Sequence, residues 1–80
     1  MVLTTTVRPR EVIQRMRALD RTARVVHQDG SHQKWRLHDG SSVIVPIHSD
    51  DIPTGTLRSI ERQGEPALGR MWLRRGFLHG

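Results

Sequence analysis

Gly30-Ser31-His32 sets an imidazole directly behind a Gly-Ser turn, and Lys34 and Arg36 follow at alternate positions. His48 comes later, closing Val45-Pro46-Ile47-His48. Imidazole changes charge near neutrality and can take or give a proton. Ammonium and guanidinium groups can stabilise charge developing on phosphate oxygens. These types together suit a nucleic-acid-binding protein with one possible acid/base group; were the chain to cleave RNA without a metal, the substrate would bring its own nucleophile, the 2′-hydroxyl. A protein must then add a group to take that proton, a group to protonate the leaving oxygen, and positive charge near the phosphorane. His32 is the principal acid/base candidate and His48 the second, a place that water or substrate can also fill. Lys34 and Arg36 would hold the charge, and cleavage would leave a cyclic phosphate. No carboxylate cluster and no His/Cys spacing points to a metal, and no cofactor is expected.

The balance of charge supports that reading. The 80 residues carry a formal net charge of +5, and Lys34 is the only lysine among thirteen basic residues. Arginine forks match phosphate oxygens bidentately, so nucleic acid or an acidic protein partner is the expected attraction. A charge of this size also serves solubility alone. Eighty residues make one domain, and a chain this short buries only about 60% of its unfolded surface. A partner covering apolar surface would therefore stabilise it. There is no cysteine, hence no disulfide or thiolate site, in keeping with a reducing compartment. No charged leader with an apolar run opens the chain, and no stretch has the length of a membrane span; a soluble, cytoplasmic protein is expected.

The elements that must position these groups follow from pattern. Residues 1–7 form a Thr-rich lead with little to bury. Pro9 suits the first turn of a helix, and Glu11 favours its positive end. Val12, Ile13, Met16 and Leu19 make one apolar stripe, so a helix is expected over Pro9–Leu19. Strands are expected near 23–28, 32–38 and 42–47. Ser49-Asp50-Asp51 and Pro53 open a second helix, with Leu57 and Ile60 inward and Gly64 as its stop. The fold class is α+β, of order α-β-β-β-α, with two helices on one face of a three-stranded antiparallel sheet. That is also the order of double-stranded-RNA-binding domains. A domain is thus expected over 1–64, with an extension over 65–80. Pro66 could start a third short helix carrying Leu68, Met71 and Trp72, with Phe77 beyond. That segment either folds back onto the core or serves as an apolar-basic arm for a partner.

The hairpin after strand 2 decides which face the histidines occupy. Trp35 and Leu37 form one alternating set, and Val43, Val45 and Ile47 form the other. A two-residue Asp39-Gly40 loop would place these sets on opposite faces. A three-residue loop, Asp39-Gly40-Ser41, pairs Leu37 with Val43 and places both sets inward, as burial demands. His32, Lys34, Arg36 and His38 then point away from the helices, and His32 lies opposite His48. His27, His38 and His79 read as surface residues.

Three blocks resemble the HicA family of small toxin ribonucleases. Gly30-Ser31-His32, followed by Trp35, is similar to that family's Gly-Ser-His block. Val45-Pro46-Ile47-His48 is similar to its next block, and Ile52-Pro53-Thr54-Gly55-Thr56-Leu57-Arg58-Ser59-Ile60, with Gln63, to its second-helix block. The likeness covers roughly residues 8–64. It departs at Asp20-Arg21-Thr22, where the family usually has a Gly-aromatic link, and at Asp29, where a basic residue often stands. The resemblance implies a double-stranded-RNA-binding-like fold, messenger RNA cleavage that blocks translation, and a HicB antitoxin as partner. It also implies that the family's catalytic histidine falls on His32. Gly30, Ser31, Lys34, Arg36 and Arg58 are the expected RNA contacts. A non-catalytic RNA-binding module and a protein-interaction domain remain the rival readings; DNA binding finds no helix-turn-helix spacing.

Overall fold

The structure is a computed structural model and describes residues 6–48 and 50–77. Residues 1–5, Ser49 and His79 lie outside the described residues, as does the side chain of Phe77. The order is α1 (Pro9–Leu19), β1 (Arg24–Asp29), β2 (His32–Arg36), β3 (Ser42–Pro46), α2 (Thr54–Leu68) and α3 (Trp72–Phe77). The three strands form one antiparallel sheet in the order β1-β2-β3. The expected α-β-β-β-α plan therefore stands, with a third helix added. No helix among the described residues is long and apolar enough to cross a membrane.

Helix α1 begins and ends where its signals place it. The Glu11 carboxylate accepts the Arg8 backbone N–H at 2.9 Å, which satisfies a donor that no helical carbonyl can reach. At the other end Asp20 N–H donates to Met16 O at 2.9 Å. Val12 and Met16 are fully buried, whereas Leu19, expected in the core, is 43% exposed. It is the last helical residue, and β1, exposed along its whole length, does not cover it. Val7 is buried, contrary to the expectation that the lead has little to bury. Its carbonyl also accepts the Ile52 N–H at 2.8 Å, tying the lead to the approach of α2.

The β2–β3 hairpin keeps its expected faces but not its expected loop. Trp35 pairs with Val43, Gln33 with Val45 and His32 with Pro46. Leu37 N–H donates to Ser41 O at 2.8 Å, so the three loop residues are His38-Asp39-Gly40. Gly40 has φ 89°. A three-residue loop wants its left-handed residue in third place, and glycine takes that place without strain; the expected loop would have put Ser41 there. The shift is by two residues, which preserves the faces within β2 and β3; His38, expected on the strand and pointing away from the helices, instead lies in the loop with its ring 3.0 Å from Ala67 O of α2. Trp35, Leu37, Val43 and Val45 are buried, and Ile47 is half-buried. The partner of His32 changes, however, from His48 to Pro46.

Asp20 braces this loop. Its carboxylate accepts Thr22 Oγ1–H at 2.6 Å, Thr22 N–H at 2.9 Å and His38 N–H at 2.7 Å. Burial pushes its pKa up, but the Thr22 hydroxyl and the His38 and Thr22 backbone N–H groups outweigh that and hold it below the usual carboxylate value.

Gly64 does not end α2. The helix continues to Leu68, with Pro66 inside its last turn rather than opening a new helix. Gly64 is where α3 docks: Trp72 is 1% exposed, and a Cβ on Gly64 would lie 2.8 Å from its indole nitrogen. The indole N–H donates to Glu61 O at 2.7 Å. The buried Glu61 carboxylate accepts Arg74 N–H and Arg74 Nε–H, each at 2.8 Å. Arg15 Nε–H reaches Trp72 O at 2.9 Å and joins α1 to α3. Trp72 and Leu73 belong to the core with Ala23, Ile52 and Ile60. The expected extension thus begins within α2, and its described residues, 65–77, fold back onto the core.

Two outcomes follow. Gly64→Ala should destabilise by ~1–3 kcal/mol through overpacking, although alanine gains about 1 kcal/mol of helix propensity over glycine; thermal melting gives the sign. Asp20→Asn should lower the melting temperature at neutral pH. Because the folded pKa is depressed, that stabilisation is complete above the ordinary value of 3.8 and is lost as pH falls through the lowered one. The gap between the two melting curves should therefore close in acid.

Candidate active site

Two hairpin ends meet at the site. Gly30, at φ 57°, allows the two-residue Gly30-Ser31 turn that joins β1 to β2. A side chain in that left-handed conformation would be strained. The Ser31 carbonyl accepts Ile47 N–H at 2.6 Å, so the residues after β3 are tied beside the turn. This bond brings Gly30-Ser31-His32 and Val45-Pro46-Ile47-His48 together. His32 is exposed, with Asp29 opposite it on β1 and Pro46 opposite it on β3. His48 is exposed and, though not the cross-strand neighbour of His32, lines the same cleft.

That cleft, of about 560 Å³, lies along the free edge of β3. Its strand side is His32, Ile44 and Pro46; its helix side is Thr56, Ser59, Ile60 and Gln63; His48, Asp50, Asp51 and Pro53 close one end. Gln63 joins the two sides. Its Oε1 accepts the outward N–H of Ile44 at 2.9 Å, and its Nε2 donates to Ser59 Oγ at 3.2 Å. An edge strand presents unpaired N–H groups; here a side chain takes one. Two residues on, Pro46 has no N–H to satisfy, which is the edge position that proline tolerates.

The cations do not line the cleft, though Lys34 stands opposite its wall residue Ile44. Lys34 and Arg36 alternate with buried Trp35 and continue from His32 along the outward face of β2. Arg24 stands opposite Arg36, and His27 opposite Lys34, after a bulge at Val26 shifts the β1 register. Arg36 Nε is buried without a hydrogen-bond partner. Opposed like charges on neighbouring strands are destabilising, so the Arg24–Arg36 pair favours an anion above it. Arg58 is exposed on α2 but does not line the cleft. His38 is held elsewhere, its ring 3.0 Å from Ala67 O. Sequence reasoning missed Arg24, whose place depends on the bulge, and the roles of Ile44, Ser59 and Gln63. Gln63 stood in the second-helix block, but its contact with β3 is nineteen residues away in sequence and left no local signal.

The exposed imidazole of His32 can exchange a proton with a bound substrate, next to cations able to hold a phosphate. Among the described residues, no three His, Cys, Asp or Glu side chains converge as a metal site. Comparison with curated proteins gives no match. A family model, described as the HicA toxin of bacterial toxin-antitoxin, matches residues 9–65. It spans α1, the whole sheet, both hairpin ends and most of α2. The chain belongs to the HicA toxin family of bacterial toxin–antitoxin systems.

Proposed function

We propose that the chain is a toxin that acts as a metal-independent endoribonuclease on messenger RNA, with His32 as its acid/base group, and that a HicB-like antitoxin silences it. The observation that carries this reading is the exposed His32 at the junction of the Gly-Ser turn and the end of β3, at the head of the row Lys34–Arg36. In the reaction the ribose 2′-hydroxyl gives up its proton and its oxygen bonds to phosphorus. The bond from phosphorus to the 5′-oxygen breaks, and that oxygen receives a proton. A 2′,3′-cyclic phosphate and a 5′-hydroxyl result. His32 serves one proton transfer. His48, which lines the same cleft, would serve the other, with water as the alternative.

Lys34, Arg36 and the turn residues Gly30 and Ser31 would meet the phosphate backbone, and Arg58 would meet RNA beyond the cleft. A basic face of this kind attracts an antitoxin that is acidic where they meet. With Trp72 and Leu73 in the core, α3 offers its surface arginines rather than its apolar anchors to that partner.

His32→Ala should lower the cleavage rate by about 10²–10⁴-fold while leaving RNA affinity nearly intact, and chelator should not change the wild-type rate. Cleavage by the variant at the wild-type rate would transfer the activity to another group; RNA binding without cleavage by either protein would favour the non-catalytic module. Lys34→Ala or Arg36→Ala should weaken RNA binding and flatten its salt dependence by about one counterion per lost phosphate contact. Affinity measured between low and moderate salt reads this directly.

A further inference from the structure

The cleft beside His32 and the cations beyond it differ in kind. Ile44, Pro46 and Pro53 give the cleft apolar surface, while Ser59, Thr56 and Gln63 add neutral hydrogen-bonding groups. Asp50 and Asp51 stand at its end, and the cations Lys34, Arg36 and Arg24 lie on the sheet face outside it. Asp51 is paired with Arg8 at 3.7 Å, so it is the walls that set the preference: apolar surface with a few neutral donors and acceptors suits a nucleobase better than a phosphate. The volume lies in the range of small-ligand sites.

Resting on the ribonuclease reading, we propose that the cleft between the β3 edge and α2 is a base pocket. It takes one unpaired base, that of the nucleotide whose ribose lies against His32, while the phosphates run over Lys34, Arg36 and Arg24. A base inside a duplex is stacked and paired and cannot enter a cleft at a sheet edge. The substrate is therefore single-stranded RNA, although the fold has the plan of double-strand binders. Gln63 is the positioning residue of this pocket. It holds α2 against β3 through the Ile44 N–H and orients Ser59. Discrimination among bases would come from Ser59 and Thr56 at the wall.

The test is binding, which does not depend on cleavage. A labelled single-stranded oligonucleotide with 2′-fluoro groups lacks the nucleophile and keeps bases and phosphates. Wild-type protein should bind it about tenfold or more tighter than the same sequence as a duplex. Ser59 is exposed, so Ser59→Trp should fold with an unchanged melting temperature while filling the cleft. It should weaken single-strand binding by about 5–150-fold, the loss of one base contact, and leave duplex binding unchanged. Thr56→Trp provides the same obstruction from one turn earlier. Equal affinity of the wild type for single strand and duplex would overturn the proposal. So would folded Ser59→Trp and Thr56→Trp proteins that both bind single strands like the wild type. Single-strand preference lost in both variants, in a protein that cleaves no RNA, would uphold the pocket and overturn the ribonuclease reading instead.

Discussion

The pairing register of β2 with β3 is the constraint from which the rest of the molecule follows, and Gly40 sets it. The left-handed third position of the loop admits glycine at no steric cost and most other residues only with strain. With the loop fixed as His38-Asp39-Gly40, Trp35, Leu37, Val43 and Val45 must face the helices. His32, Lys34 and Arg36 must then face away. The same register carries β3 far enough for Ile47 N–H to reach the Ser31 carbonyl, which brings the two halves of the candidate site together. Asp20 supports the loop from the end of α1 by holding the His38 N–H. The Asp20-Arg21-Thr22 link, unlike the Gly-aromatic pair usual in the resembling family, thus has a local structural role. It is an Asp-Thr turn whose spare carboxylate oxygen reaches the hairpin.

A second constraint lies at the opposite end of α2. A glycine in the middle of a helix weakens it, and Gly64 is tolerated because the Trp72 indole rests where a side chain would be. Close approach lets one indole fill the space between α2 and α3 while its N–H bonds the Glu61 carbonyl. Glu61 would be costly to bury alone, and Arg74 meets it with two hydrogen bonds. The family match ends at residue 65, yet core packing continues through Leu73. For a chain of 80 residues an added tryptophan is a large part of the available core. The boundary of sequence likeness is therefore not the boundary of the folded unit.

These two constraints explain what the sequence disclosed. Helix α1 was legible to the residue, because Pro9, Glu11 and the stripe Val12–Met16 are all local signals. The inward and outward faces of β2 and β3 were legible too, since alternation and burial fix parity. Parity alone admits a shift of two, so the partner of His32 was not legible until the glycine's place in its loop was considered. Gly64 misled for the opposite reason. Glycine after an apolar turn usually marks a helix end, and only the distant Trp72 shows that this one marks a close approach. Leu19 fits the stripe but has no opposing surface. Of the site, the histidines and cations stood out by type, whereas Gln63, Ser59 and Ile44 became visible only when α2 lay along the β3 edge.

His32 consequently stands where two different surfaces meet. On one side the outward sheet face gathers Arg24, Lys34 and Arg36, and on the other the cleft ends in Asp50 and Asp51. Asp29 lies directly across from His32 itself. Asp51 is itself paired with Arg8 at 3.7 Å, so the two surfaces differ in lining more than in sign of charge. On the proposed reading, a polyanion approaching this face would be drawn to the β2 row. Its bases would then extend toward the apolar walls of Ile44, Pro46 and Pro53. On that reading, shape and charge would orient a strand on the surface before any base is read. The same arrangement would bear on inhibition: an acidic partner would engage the cations of the sheet face, while the apolar walls of the cleft would favour neutral groups. A surface complementary to both would be specific for this arrangement, and a merely acidic one would not.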